Sequence, residues 1–289
     1  MTATITVTST TLLSLYGLKW NPFSPGLPVE GIFPAPRTES FVRRCETYLR
    51  DGGFAMVTGP PGDGKSIAMR VIDDRLSRMR DVLVRSIAHP QSRLTDFYRE
   101  LGDLFGVPLS AHNRWGGFKS IRDKWQTHID ATLIKPVLII DEAQEMQASV
   151  LSELRLLTSR DYDSRTLLFV ILAGDSRLLE KLKSDDLLPL RSRIRTHLVI
   201  EPSTPGELAD CLRHVLDAAG NASVMTPAVV TALAEHAGGN LRSMMMMGHE
   251  LLTAAAERDA RQIDEKLFFE IFALPPGPQA GAPKGNKRR

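Results

Sequence analysis

The sequence predicts an α/β fold of the P-loop nucleotide-binding kind: a parallel sheet flanked by helices, followed by a small all-helical domain. Three observations predict it. The stretch "VTGPPGDGKS", residues 57–66, fits GxxxxGK[ST] at the end of an apolar run. "PVLIIDEAQ" has the look of a buried strand that ends in carboxylates. Strand-like runs alternate with helical ones as far as Pro202, and beyond it only helical patterning remains.

Each element follows from local chemistry. Residues 1–16 are rich in Thr and Ser and read as an extended or mobile arm. The segment to residue 37 holds Pro22, Pro25, Pro28, Pro34 and Pro36, which forbid a long helix. Trp20, Phe23, Ile32 and Phe33 make it too apolar for a free linker, so it should pack on the body of the protein. A helix should start near Thr38 and stop at Gly52 and Gly53. Strands are expected at "FAMVTG", "DVLVRSIA", "PVLIIDEAQ", "TLLFVILAGD" and "THLVIEP", with amphipathic helices between them. After Pro202, Thr204 with Pro205 and Glu207 reads as a capping box with proline at the first helical position, and Thr226–Pro227 repeats the cap. The organisation expected is an arm and Pro-rich lead segment (1–37), an α/β domain (38–202), a helical lid (203–274) and a disordered basic tail (275–289).

Gly59, Pro60, Pro61, Gly62, Asp63, Gly64, Lys65, Ser66 and Ile67 form the candidate phosphate cradle. Its glycines let backbone N–H groups approach phosphate oxygens, and the following helix adds a favourable dipole. Lys65 brings a cation to the outer phosphates, and the Ser66 hydroxyl suits Mg2+. Asp141, at the end of a buried strand, completes the Mg2+ shell. Glu142 can orient and deprotonate a water. ATP and Mg2+ are therefore the expected substrate and metal, and ATP hydrolysis the expected reaction.

Bulk composition narrows the rest. With 36 basic and 34 acidic residues the net charge is +2, which neither demands nor excludes nucleic acid. Cys45 and Cys211 stand far apart, with no zinc spacing and no disulfide framework. The seven histidines show no metal-ligand spacing. No run of about 18 apolar residues appears, so no membrane insertion and a cytoplasmic location are expected. "MMMM" at 244–247 reads as core filling on a helix.

The motifs together resemble an AAA+ ATPase. "YGLKWNPF", the P-loop, "LIIDEAQ" leading into "LSELRLLTS", "VILAGDSRLLEKL", "LRSRI" and "GGNLRSM" resemble the ExeA-type branch, which takes in the transposition ATPases TniB, TnsC and MuB. The resemblance implies further roles. Asp175 falls at the first sensor position, where it departs from the more usual Gln, Thr or Asn. Arg193 falls at the arginine finger, with Arg191 and Arg195 as rivals. Arg242 falls at the second sensor in the lid. A finger of this kind acts on a neighbouring subunit, so a homo-oligomer, ring or filament, is implied.

Two functions lie within the resemblance. One is a transposition regulator that assembles on double-stranded DNA and recruits or stimulates a transposase. The other is a secretion ATPase acting on a membrane or cell-wall assembly. Secretion members carry a membrane segment and a peptidoglycan-binding region, which are not found in this sequence, so DNA is the expected partner. Arg99, Arg114 and Lys119, with Trp115 among them, are the candidate DNA contacts; they suit phosphate binding without base reading. The basic tip "KGNKRR" reads as a tether or a solubilising tail.

Overall fold

A computed structural model describes residues 9–90, 93–107, 114–160 and 165–272. Five strands form one parallel sheet: β1 (Gly53–Thr58), β2 (Val82–Ile87), β3 (Lys135–Ile140), β4 (Phe169–Gly174) and β5 (Ile194–Val199). Their spatial order is β2-β3-β4-β1-β5. The inner strands β1, β3 and β4 read as unbroken apolar runs because helices cover both faces. The edge strands β2 and β5 are only partly buried, which explains their mixed sequences.

Alternate residues of β1 point into two different cores. Phe54 and Met56 face a layer built by α4 (Leu94–Phe105), α5 (Arg114–Thr132) and α6 (Ala148–Thr158). Ala55 and Val57 face α2 (Pro36–Tyr48) and α3 (Lys65–Ser77). A short α7 (Ser176–Lys181) follows β4, and one turn of helix, α8 (Leu188–Arg191), leads into β5. Between α6 and β4 the chain makes a small antiparallel ribbon, pairing Ser159 with Thr166.

The third core belongs to the C-terminal helices α9 (Pro205–Ala219), α10 (Pro227–His236), α11 (Leu241–Glu257) and α12 (Glu265–Phe272). The Thr204–Glu207 capping box is formed in both directions, and the Thr226 side chain caps α10. Met244 is buried and Met246 exposed, so the methionine run fills the core with one part of its helix only.

The N-terminal arm departs from expectation. Ser9–Tyr16 is a helix, α1, whose Leu12 and Tyr16 are buried in the lid core. Tyr16 donates from its hydroxyl to Ala260 O (2.9 Å), and Lys19 N donates to Ala219 O (2.8 Å). Burial of those two side chains outweighs the weak helix propensity of a Thr/Ser-rich run. The Pro-rich segment also packs mainly on the lid, through Leu18, Phe23, Leu27 and Ile32. The tail at 275–289 lies outside the described residues.

Phe23 seats on a notch at Gly248 of α11. A Cβ there would sit 2.3 Å from Phe23 Cε1. Alanine gains roughly 0.5–1 kcal/mol of helix propensity over glycine. Overpacking a closed core costs about 1–3 kcal/mol. The second term is the larger, so Gly248→Ala should lower the thermal midpoint. An unchanged or raised midpoint would show that Phe23 is free to move aside.

Candidate nucleotide-binding site

The strand register brings the P-loop and the loops that carry Asp141, Glu142 and Asp175 to one edge of the sheet. Thr58 pairs with Gly174 and with Val199, and Ile140 pairs with Leu172, so residues 59, 141, 175 and 200 emerge side by side. Ligands of open α/β sheets bind at this carboxyl edge. A cavity of about 940 Å3 lies there.

The P-loop turns as its glycines allow. Gly62 and Gly64 have φ of +94° and +103°, in the left-handed region. Pro60 to Ile67 line the cavity, with Ser66 exposed at the start of α3. Gly59 is buried beneath them, and a Cβ there would strike Ile200. Below the loop, Thr58 Oγ1 and His197 Nε2 are hydrogen-bonded at 2.7 Å. Burial pulls the His197 pKa down, so its ring is held neutral.

Lys65 is buried and makes two ionic contacts, to Glu142 Oε1 (2.8 Å) and Asp141 Oδ1 (3.4 Å). Burial works against its charge, but the Glu142 hydrogen bond and the two carboxylates outweigh it and raise its pKa. In turn, the Lys65 hydrogen bond holds the Glu142 carboxyl below its ordinary range, against a smaller burial penalty. Glu142 therefore stays ionised at neutral pH, as a proton acceptor must be.

Glu142 itself has φ +52°, which is strained for a residue with a side chain. Its N–H donates to Asp141 Oδ1 (2.9 Å), which holds the turn. Gln144 was not singled out from the sequence. It is buried, donates from Nε2 to Glu142 Oε2, and accepts at Oε1 from Asp175 N (3.3 Å). It thus ties Glu142 to the end of β4.

Asp175 lines the cavity, but its carboxylate is committed elsewhere. It caps α7 by accepting from Arg177 N (2.8 Å) and pairs with the Arg177 guanidinium (2.8 Å). Burial would raise its pKa, yet the Arg177 bonds win and lower it. A carboxylate so held presents like charge to a phosphate.

The lid touches the P-loop directly. Arg242 N donates to Gly62 O (2.9 Å), and the exposed Arg242 side chain lines the cavity. Asn240, beside it, was not singled out from the sequence. It caps α11 by accepting from Ser243 N and donates from Nδ2 to Asp63 Oδ1 (2.9 Å). Loss of such a cap costs about 1 kcal/mol, and here it also frees Asp63 from the lid. Asn240→Ala should therefore weaken nucleotide binding by roughly five- to tenfold. A fluorescent ATP analogue reads this, and unchanged affinity would contradict the clasp. The Pro-rich lead segment forms the far wall through Asn21, Pro25 and Phe33.

Two metal ligands were expected, Ser66 and Asp141. Both supply hard oxygens beside Lys65, as Mg2+ requires. Among the described residues no cluster of three or more His, Cys, Asp or Glu is placed to hold an ion.

The arginines of "LRSRI" lie elsewhere. Arg193 precedes the first residue of β5, at the opposite edge of the sheet. The length of β1, about 17–20 Å, separates it from its own P-loop. Arg193 is half-buried and donates to Ser159 Oγ (3.2 Å). Arg195 pairs with Asp51 (3.4 Å), and Arg191 is exposed at the end of α8.

Of the candidate DNA contacts, Arg99 is exposed and paired with Asp96 (3.4 Å). Lys119 is exposed on α5. Arg114 is the first residue of α5, but its side chain lies outside the described residues. No helix among the described residues is long and apolar enough to cross a membrane.

Comparison with known proteins agrees with this geometry. Residues 48–182 match the family model described as "AAA domain". The general secretion pathway protein A of Aeromonas hydrophila is 28% identical over 253 residues, which are 86% of this chain. The chain spans 45% of that protein's length. The Aeropyrum pernix ORC2 protein, solved as ADPNP–ADP complexes, superposes with a TM-score of 0.71 at 15% identity, covering 86% of this chain and 70% of that one. The Aeropyrum pernix ORC1 protein in complex with DNA gives 0.64 at 18%, covering 86% and 67%. The chain has the P-loop AAA+ fold of these neighbours.

Proposed function

We propose that this chain is an ATPase that assembles on double-stranded DNA in its ATP state and recruits or stimulates a transposase. The observation that carries the reading is the division of the site. One edge of the sheet gathers the cradle, Lys65, Glu142 and Arg242, while Arg191, Arg193 and Arg195 lie at the other edge. A second copy is what brings such an arginine to the phosphates.

ATP would displace Lys65 from the two carboxylates onto its outer phosphates. Glu142, thereby released and held in place by Gln144, accepts a proton from the attacking water. Mg2+, held by Ser66 and Asp141, would neutralise charge between the outer phosphates. The neighbour's arginine offsets the charge that develops as the phosphoryl group transfers. Asn240 and Arg242 make the lid sense the loop, so nucleotide state alters the surface offered to a second copy.

DNA is supported by the cationic residues of α5 and by the likeness in fold to the Aeropyrum pernix ORC1 protein, which was solved with DNA. The Arg114→Ala/Lys119→Ala double change should weaken DNA affinity evenly across sequences and reduce the salt slope by about 2. An intact slope would move the contact elsewhere. The secretion reading is favoured by one observation, the 28% identity to general secretion pathway protein A. Under it, nucleotide would control attachment to a membrane or cell-wall partner, and DNA would bind in no nucleotide state.

A further inference from the structure

Helix α5 is anchored to the core by Ile121 and Trp125, which are 0% and 1% exposed. A second group of side chains lies on the flank of α5: Phe118 is half-buried against that same core, and Trp115 and Arg122 pack on Phe118. The Trp115 ring stacks on Phe118, with centroids 6.1 Å apart and planes within 5°. The Arg122 guanidinium lies over the Phe118 ring, 5.0 Å from its centroid. Arg122 also donates to Ser159 O, which fixes the inner end of the stack to the ribbon after α6. Trp115 forms the outer end and is 75% exposed.

Residues 115, 118, 119 and 122 share one strip of the helix by their spacing. The strip carries Lys119 and Arg122 and no acid. An exposed tryptophan alone is ordinary. An indole held parallel on a pinned aromatic, with cations within about two turns, is a preorganised stacking surface.

We infer that the Arg122–Phe118–Trp115 stack receives the face of an unpaired nucleobase, with Lys119 beside it for the adjoining phosphate. The inference rests on the DNA reading and adds to it. Phosphate contacts alone are blind to whether bases are paired, whereas a stacking surface favours strands whose bases are open, as at a gap, a mismatch or an untwisted step. The π-face is common to all bases, so the preference is for openness and not for sequence.

The test uses the full chain with a slowly hydrolysed ATP analogue and three probes: oligothymidylate, an abasic strand of equal length and a blunt duplex. Trp115→Ala should weaken oligothymidylate binding about tenfold and leave the abasic strand unchanged. Trp115→Phe should restore most of the loss. Oligothymidylate should quench the tryptophan emission of the wild type and not that of Trp115→Phe. Equal loss on all three probes would mean a phosphate or folding effect and would overturn the inference. Wild-type binding of all three by Trp115→Ala would also overturn it, and a loss of self-association in that variant would reassign the stack to a protein contact. Binding of none of the probes by the wild type would instead remove the DNA reading itself.

Discussion

Glu142→Gln is expected to bind ATP with near wild-type affinity and to hydrolyse it about 10^2–10^4 times more slowly. The amide keeps the shape of the carboxylate and can still accept from Lys65, but it cannot take a proton. The ionised carboxylate in the structure is held by Lys65 and Gln144, and it lies in the strained turn after β3. Single-turnover hydrolysis and a binding titration separate the two effects. Near wild-type turnover would transfer the base role to another group. Loss of binding would mean that Glu142 shapes the cradle and is not a base.

Arg193→Ala is expected to bind ATP and lose hydrolysis by about 10^3–10^5, the range seen when an arginine finger is removed. Because β1 separates Arg193 from its own cradle, the defect should be repaired by a neighbour. A mixture of Arg193→Ala with Glu142→Gln tests this directly. The first keeps an intact cradle and the second keeps an intact finger, so mixed interfaces should recover turnover that neither protein has alone. Arg191→Ala is the necessary comparison, since Arg191 is exposed while Arg193 is held by Ser159. Loss in Arg191→Ala with full turnover in Arg193→Ala would assign the finger to Arg191. Full turnover in both would end the claim that a neighbour completes the site.

The cradle and the strand carboxylates were legible in the sequence because their chemistry is local. A glycine loop between a strand and a helix has few other uses, and a buried run that ends in Asp–Glu marks the carboxyl edge of a sheet. The caps at Thr204 and Thr226 were legible for the same reason, as each is contained within a few residues. What could not be read depends on distant partners. The arm becomes helical because Leu12 and Tyr16 find the lid core, far along the chain: Tyr16 and its acceptor Ala260 are 244 positions apart. Asn240 gains its role from Asp63, and Gln144 from Asp175 N. The Pro-rich segment was expected to pack, and it does, but its place in the cavity wall follows only from the way the lid folds over the sheet edge. Arg193 was placed by resemblance, and its hydrogen bond to Ser159 belongs to two elements that no local pattern connects.

The measurement that tests the account most directly is binding of the purified chain to a random-sequence duplex, with ATP, a slowly hydrolysed analogue, ADP or no nucleotide, followed by electron microscopy. Rings or filaments on DNA are expected with ATP or the analogue, and none with ADP or without nucleotide. DNA left bare in every state would contradict that expectation, and would shift the weight to a membrane or cell-wall partner.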